Sequence, residues 1–268
     1  TFSGAGMRIG FSLSSATSTT LSDNTIDLTG APGSTVGLTV TSAPGLTANR
    51  TLIRGATDGI LVTSTAGVTL NQTTVSLHRQ RGMAFSGSKT ITINSCTITG
   101  GAGAQTGISF DDWAAALVPS EATMVSGCTV STGTVSGVIV LQGYTTVRAS
   151  RFSGFSQYGV SLRSRTDLLV DGVEADNNTL AGFYVEASTF AVTVQSATSH
   201  NNAGYGVQLN IPTSAATTAT RVIKVSAIQS NGKAGVIAYR AANLTITGNL
   251  IDGNNTSLGS ETVSYCLN

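Results

Sequence analysis

The sequence predicts an all-β solenoid of about ten coils, each made of three short strands. Two observations lead to this prediction. The 268 residues include 31 Gly and only 6% aromatic residues, a composition that favours strands separated by frequent turns. A unit of Gly, an apolar residue, any residue and a second apolar residue also recurs at intervals of 22 to 30 residues. The glycines of this unit are Gly10, Gly37, Gly59, Gly82, Gly107, Gly137, Gly159, Gly182, Gly206 and Gly235.

Each repeat contains three strand-like segments in the same order. The first segment follows the repeat glycine, as in the run from Gly82 to Phe85. A second apolar pair, Ile91 and Ile93, has the two-residue period of a strand. After a two-residue bend, Cys96 and Ile98 form a third pair. No helical period separates the three, so each repeat is expected to make one turn of a coil.

Charge and hydropathy exclude several classes of function. The chain carries 14 Lys and Arg against 13 Asp and Glu, a net charge of +1, so it lacks the positive field of a nucleic-acid-binding protein. No apolar run is long enough to cross a bilayer. Hydrophobic residues make up 40% of the chain, which is enough for a buried core. The sequence therefore predicts neither a nucleic-acid partner nor a membrane span.

Stacked coils should place residues of equal offset in vertical columns. Asn178, Asn202 and Asn231 each precede a repeat glycine by four residues, and Asn255 precedes Gly259 by four, which predicts a ladder of turn asparagines. His200 and Asp176 share another offset and are expected to be hydrogen-bonded neighbours. A cluster of basic residues precedes the repeat glycine Gly82 and is expected to form a solvent-exposed corner. Its members are His78, Arg79 and Arg81.

The cysteines give a structural prediction and no chemical one. Cys96 and Cys128 occupy matched places beside Ser150, and matched positions on parallel strands point their Cβ atoms alike, so a stack of free thiols is favoured over a disulfide. The three cysteines are too few and too far apart along the chain for a disulfide framework or a zinc site. Nothing in the sequence calls for a metal or another cofactor.

These repeats resemble the right-handed parallel β-helix of the pectate-lyase-like superfamily, over about nine-tenths of the chain. The resemblance implies one β-helix domain over residues 1–268 and relatives among polysaccharide lyases, hydrolases, epimerases, adhesins and phage tailspikes. Neither end shows the capping segment that a terminal repeat needs, which predicts a piece of a longer chain with flanking domains or partner chains at both ends. Likeness to tailspikes would also imply a parallel homotrimer.

Insertions in the first, fifth and ninth coils fall in the same connection, and a solenoid that enlarges loops on one face commonly binds there. The loops Asp111 to Glu121 and Asn210 to Thr220 predict two walls about 19 Å apart on the usual strand spacing of about 4.8 Å. Aromatic rings stack on sugars and arginine forks bind carboxylates, so the groove suits an acidic polysaccharide. The predicted substrate-binding residues are Asp111, Asp112, Trp113, Gln142, Arg163 and Tyr184.

Two catalytic arrangements fit the same groove. Asp167 and Glu186 come from adjacent coils and could form the paired carboxylates of a glycosidase. Alternatively, Arg165 could neutralise a uronate carboxylate while Tyr144 moves a proton, as in a lyase or epimerase. Asp111 and Asp112 are similar to the paired aspartates of polygalacturonase-like hydrolases, although the accompanying His-Gly and Arg-x-Lys motifs are missing. Arg163 and Glu186 also fit a simple solvated ion pair.

The sequence thus supports two classes of function. The first is a polysaccharide-binding β-helix, either a carbohydrate-active enzyme domain or a tailspike-like receptor-binding shaft, located extracellularly or on a virion surface. The second is a structural fibre, adhesin or surface-layer segment without catalytic activity. The coincident insertions favour a binding groove, while the incomplete catalytic signature leaves turnover open.

Overall fold

The computed structural model describes residues 2–3, 6–111, 119–141, 144–163, 167–186, 191–210, 219–224, 226–239 and 243–254. Within them the chain forms three parallel sheets, here named A, B and C, and one short 3₁₀ helix, Pro119–Glu121. No helix in these ranges has the length and apolar character needed to cross a membrane.

Each coil contributes one strand to each sheet, in the order B, C, A. Sheet A contains Phe2–Ser3, Thr25–Asp27, Leu52–Arg54, Thr74–His78, Thr97–Gly100, Thr129–Gly133, Arg151–Phe155, Glu174–Asp176, Thr198–His200, Ala227–Gln229 and Leu250–Asp252. Sheet B contains Ile9–Ser14, Val36–Thr41, Asp58–Thr63, Arg81–Ser86, Thr106–Phe110, Ser136–Val140, Tyr158–Leu162, Ala181–Val185, Tyr205–Asn210 and Val236–Tyr239. Sheet C contains Thr20–Ser22, Thr47–Asn49, Ala66–Asn71, Lys89–Asn94, Thr123–Ser126, Thr145–Arg148, Leu168–Asp171, Val192–Gln195, Arg221–Lys224 and Leu244–Thr247.

Every strand pairs in parallel with the equivalent strand of the next coil, so the predicted β-helix of about ten coils is confirmed. In sheet B, for example, Met83 pairs with Ile108, and Ile108 pairs with Val138. Alternate side chains of all three sheets point inward and fill one continuous apolar core. The registry of residues about two dozen positions apart is what places the outward side chains in columns.

The repeat glycines lie where the chain turns from sheet A into sheet B and the interior is most crowded. A Cβ atom on Gly107 would lie 2.6 Å from the carbonyl oxygen of Gly137 and 2.1 Å from a methyl carbon of Val130. Both distances are well below van der Waals contact, and the carbonyl belongs to the next coil. Only glycine lets the coils stack at this point, which explains the recurring unit in the sequence.

The corner between sheets A and B contains the predicted asparagine ladder. Asn178, Asn202 and Asn231 are buried, and the amide nitrogen Nδ2 of Asn202 donates to Oδ1 of Asn231 at 2.8 Å. The fourth member is Asn254, whose Oδ1 accepts from Asn231 Nδ2 at 2.8 Å. Asn255, which the sequence predicted as a member, lies outside the described residues.

The basic corner predicted from His78, Arg79 and Arg81 is wrong for the histidine. His78 precedes Gly82 by four residues, which is the offset of the ladder asparagines, and its side chain is buried. Arg81 instead points outward on sheet B and forms a two-bond ion pair with Asp58, at 2.8 and 3.0 Å. At this position, the distance from the repeat glycine predicts burial correctly, whereas the basic character of the segment predicts exposure wrongly.

Candidate functional site

Four polar residues lie at the ends of sheet B strands, each four residues after a repeat glycine. They are Asp111, Arg163, Glu186 and Asn210. The backbone places them in one column: the amide of Arg163 donates to the Val140 carbonyl, and the amide of Glu186 donates to the Leu162 carbonyl, each in the preceding coil. Arg163 and Glu186 are therefore neighbours in adjacent coils, as the sequence predicted.

Two tyrosine rings stand beside this column on the outer face of sheet B. The rings of Tyr158 and Tyr184 stack with centroids 4.4 Å apart and an interplanar angle of 19°. The guanidinium carbon of Arg163 lies over the Tyr184 ring, 5.2 Å from its centroid. Tyr184 is accordingly only 7% exposed. Since Tyr158 and Arg163 cover its ring, Tyr184 supports the arginine and does not offer a free face for stacking on a sugar.

Glu186 is held in the same cluster by two contacts. Its Oε2 lies 3.6 Å from Arg163 Nε, and it accepts a hydrogen bond from the Tyr184 hydroxyl at 3.2 Å. The Tyr184 hydroxyl in turn accepts from Asn210 Nδ2 at 3.4 Å. Burial raises the pKa of both Tyr184 and Tyr158, so both phenols are protonated at neutral pH, and the Tyr184 hydroxyl can donate to Glu186.

The remaining predicted site residues lie further from this cluster or outside the described ranges. Asp111 is half-buried and lies in the same column two coils before Arg163. Asp167 is exposed at the start of a sheet C strand, where its carboxylate accepts from the Ala191 amide at 3.2 Å. Tyr144 immediately precedes another sheet C strand, and its carbonyl accepts from the Thr123 amide at 3.0 Å. Asp112, Trp113, Gln142 and Arg165 fall outside the residues that the structure describes.

The structure thus brings together Arg163, Tyr184 and Glu186, and it adds Tyr158, which the sequence analysis missed. Tyr158 directly precedes the repeat glycine Gly159, a position that points outward on sheet B. That offset was a usable signal, because Arg81 occupies the same position relative to Gly82 and also projects into solvent. Glu186 lies at the start of one connection between sheets B and C, whereas Asp167 lies at the end of the corresponding connection in the preceding coil.

A second polar cluster lies on the outer face of sheet A. Glu174, Asp176 and His200 have ligand atoms within 4.8 Å of one another, as in a metal site. Arg151 occupies the same space, however: it donates to both carboxylate oxygens of Asp176, at 3.0 and 2.9 Å. His200 Nε2 bonds to Glu174 Oε1 at 3.0 Å, and not to Asp176 as predicted. With the arginine fork in place, this cluster is an ion-pair network.

Replacing Arg151 in this network is expected to lower the stability of the fold. The Asp176 side chain is fully buried, and burial alone would raise the pKa of its carboxyl, but Arg151, together with Asn177 and His200, outweighs that effect and lowers it. Arg151→Ala leaves the buried carboxylate without its arginine partner. We expect a loss of about 2 kcal/mol in urea unfolding, less than for a wholly buried pair because Arg151 is half exposed. The double variant with Asp176→Asn should recover part of the loss; no recovery would contradict the ion-pair explanation.

Comparison with known proteins agrees with this architecture. The sequence profile of the family described as right handed beta helix region matches residues 2–119 and 104–251. The chain belongs to this family. A search of curated protein sequences finds no significant match.

Solved structures of the same β-helix architecture superpose on most of the chain. The periplasmic alginate epimerase AlgG does so with a TM-score of 0.65 at 13% identity, covering 86% of this chain and 58% of that one. The catalytic domain of a GH87 alpha-1,3-glucanase in complex with nigerose gives a TM-score of 0.68 at 12% identity, covering 94% of this chain and 54% of that one. The chain therefore spans little more than half the length of these neighbours. At such low identity the likeness establishes the right-handed β-helix fold.

Proposed function

We propose that this β-helix is a carbohydrate-active domain that binds an acidic polysaccharide along the outer face of sheet B. The observation that carries the proposal is the state of Arg163. Its side chain is 42% exposed, its guanidinium lies over the Tyr184 ring, and the side chain makes no hydrogen bond within the described part of the chain. A guanidinium whose N–H donors are fixed in direction and open to solvent is suited to bind a carboxylate through two hydrogen bonds.

The neighbours of Arg163 fit the same ligand. Glu186 lies near the guanidinium without forming a hydrogen bond to it, so a uronate carboxylate can take the arginine's donors while Glu186 stays on the Tyr184 hydroxyl. Tyr158 is half-buried and supplies the ring that a sugar could stack on. The proposal also includes Asp111 in the preceding coils, and it keeps the predicted roles of Asp112, Trp113 and Gln142, which lie outside the described residues. Two structural neighbours are an alginate epimerase and an alpha-1,3-glucanase, which supports a polysaccharide as the ligand.

For catalytic turnover of the polysaccharide we propose two alternative arrangements of catalytic residues. In the hydrolase arrangement, Glu186 acts with Asp167 across the connection between sheets B and C. In the lyase or epimerase arrangement, Arg165 neutralises the uronate and Tyr144 moves the proton. Both would work on a polymer outside the cell, so the proposed location is extracellular or on a virion surface.

Flanking domains and a homotrimeric assembly belong to the same proposal, and analytical ultracentrifugation of the purified chain tests the trimer.

Removal of the guanidinium tests the binding proposal. Arg163→Ala should weaken binding to a polyuronate such as alginate or polygalacturonate by about 10- to 100-fold, the loss typical of a charge-assisted hydrogen-bonded contact. Isothermal titration with defined oligouronates measures it. Arg54→Ala is the matched control, since it removes one exposed arginine from sheet A and should change affinity less than about twofold. Equal binding of neutral and acidic glycans, or no loss in Arg163→Ala, would overturn the proposal.

Turnover is tested on the same ligands. New reducing ends would indicate hydrolysis, absorbance of an unsaturated uronate would indicate a lyase, and a changed uronate composition without cleavage would indicate an epimerase. Glu186→Gln should abolish activity in the hydrolase arrangement while leaving binding intact or tighter, because it removes a negative charge next to the bound carboxylate. Binding without any product would assign the domain to passive recognition. Absence of binding to any glycan would favour the structural fibre or adhesin alternative.

A further inference from the structure

The column of side chains that contains Arg163 has a fixed order of charges along the rod. From the fifth coil to the ninth, the side chains at the outward end of the sheet B strands are Asp111, Leu141, Arg163, Glu186 and Asn210. Consecutive members lie one coil apart, about 4.8 Å. The backbone shows this directly, since the Leu141 amide donates to the carbonyl of Phe110, the residue before Asp111, at 2.9 Å. We refer to these five residues as the Arg163 column.

Arg163 has an acidic residue on each side of it in this column. Glu186, one coil later, has a side chain that is 41% exposed, and its Oε2 lies 3.6 Å from Arg163 Nε. Asp111 is half-buried and lies two coils earlier. Leu141, in the coil between Asp111 and Arg163, carries no charge. A ligand lying along the rod therefore meets one cation between two anions.

Other cations near this face do not extend the positive charge. Arg81 donates to both carboxylate oxygens of Asp58, at 2.8 and 3.0 Å. Lys233 precedes the repeat glycine three coils after Arg163, and its Nζ lies 5.2 Å from the centroid of the Tyr205 ring. Of the described residues in and directly after the sheet B strands of coils five to nine, Arg163 alone is cationic.

A polymer with a carboxylate on every sugar conflicts with this order of charges. One pyranose unit is roughly as long as the coil spacing of about 4.8 Å, so a chain along the rod places about one sugar opposite each coil. With one carboxylate bound at Arg163, a carboxylate on the adjacent sugar would face Glu186. Where successive sugars point in opposite directions, the carboxylate two units away would face Asp111 instead. Both arrangements bring like charges together on a partly desolvated surface.

The groups next to Arg163 favour a neutral sugar. A carboxylate only accepts hydrogen bonds, so Glu186 can bind a sugar hydroxyl or N–H group but not a second carboxylate. Its Oε2 accepts from the Tyr184 hydroxyl at 3.2 Å, and its Oε1 makes no hydrogen bond to any residue that the structure describes. Asn210, one coil further, is exposed and can both donate and accept through its amide. The positions after Arg163 thus match hydroxyl or acetamido groups.

We propose that the polysaccharide bound along sheet B carries isolated uronates separated by one or more neutral sugars. Glu186 and Asp111 are then specificity-determining residues that exclude a polymer charged at every unit. This inference rests on the proposed function, because it requires a carboxylate bound at Arg163. Arg163 selects for an acidic ligand, while the two flanking carboxylates limit its charge density. Affinity should therefore pass through a maximum as the fraction of charged sugars increases.

Oligosaccharides that share one backbone and differ only in charge test this inference. Alginate and polygalacturonate oligomers of equal length are used in three forms: with all carboxyls intact, with about half of them reduced to primary alcohols, and with all of them reduced. Isothermal titration measures the affinities. The half-reduced form should bind about 10-fold more tightly than the intact form, the order expected for partly exposed like charges one coil apart. The fully reduced form should bind most weakly, because it offers no carboxylate to Arg163.

Substitution of the flanking carboxylates should remove the preference. Glu186→Gln should strengthen binding of the intact oligomer about 10-fold and change binding of the half-reduced oligomer by less than about threefold. The double variant with Asp111→Asn should bind both forms about equally. Asp171→Asn is the matched control, since it removes a half-buried carboxylate from sheet C and should change no affinity by more than about twofold. Circular dichroism checks that each variant is folded.

The outcomes separate this inference from the proposed function. Equal binding of intact and half-reduced oligomers, or an equal gain for both in Glu186→Gln, would overturn the inference alone, provided that Arg163→Ala still weakens binding. If no oligomer binds, or if Arg163→Ala binds as tightly as the original chain, the proposed function fails and the inference fails with it.

Discussion

Asn202→Ala should destabilise the β-helix by about 3 to 5 kcal/mol, the largest effect we expect from a single truncation in the ladder. Asn202 is 1% exposed. Its Oδ1 accepts from both the backbone amide and Nδ2 of Asn178, each at 3.0 Å, and its Nδ2 donates to the Ala175 carbonyl at 3.1 Å. Alanine would leave these buried partners unsatisfied, and each such group costs about 1 to 3 kcal/mol.

The stability loss is measured by urea unfolding followed by circular dichroism. Asn24→Ala is the matched control, because the Asn24 side chain makes only a local bond to the Ser22 carbonyl at 3.2 Å. It should change the free energy of unfolding by less than about 0.5 kcal/mol. If Asn202→Ala were as stable as Asn24→Ala, the ladder would be a consequence of stacking and not a source of stability.

Acid should destabilise the fold through His78 by about 3 kcal/mol. Burial lowers the pKa of this side chain from 6.5 to about 4, so the folded protein holds it neutral while the unfolded chain takes up a proton below pH about 6.5. The unfolded state therefore binds more protons between pH 6.5 and 4, and stability falls as the pH falls through that interval. At about 1.4 kcal/mol for each pKa unit, the full loss is reached below pH 4.

Replacement of His78 by an apolar side chain of similar size tests whether this histidine causes the loss of stability between pH 6.5 and 4. The His78→Leu variant should lose much less stability between pH 7 and pH 4 than the original chain, since no buried group then needs to be charged. The chain has only two histidines, which makes His200→Gln a matched control. His200 lies on the outer face of sheet A, and its variant should keep the steep acid dependence. Parallel pH profiles for His78→Leu and the original chain would exclude the histidine as the cause.

The coils were predictable because their signal is local and repeated. A glycine is required wherever a Cβ would meet the next coil, as at Gly107, and the apolar pairs mark the inward positions of each strand. The same periodicity predicted that Arg163 and Glu186 are neighbours. The offset of His78 is that of Asn202 and predicts burial, whereas its basic neighbours Arg79 and Arg81 favour exposure.

Contacts between neighbouring side chains were less predictable. Two residues of equal offset share a column, yet each outward side chain reaches several others, and its rotamer decides which one it meets. Asp176 and His200 are paired in register, but Arg151 takes the carboxylate and His200 turns to Glu174. Tyr158 likewise leans across the sheet onto Tyr184, which belongs to a different column of the next coil.

The amino-acid sequence by itself determined that this chain coils, how long each coil is and which residues point inward, because these follow from glycine spacing and strand period. Only the tertiary structure decided that Tyr184 is covered by Tyr158 and Arg163. Such contacts depend on side-chain directions and on the shape of adjacent coils. No periodic pattern encodes them.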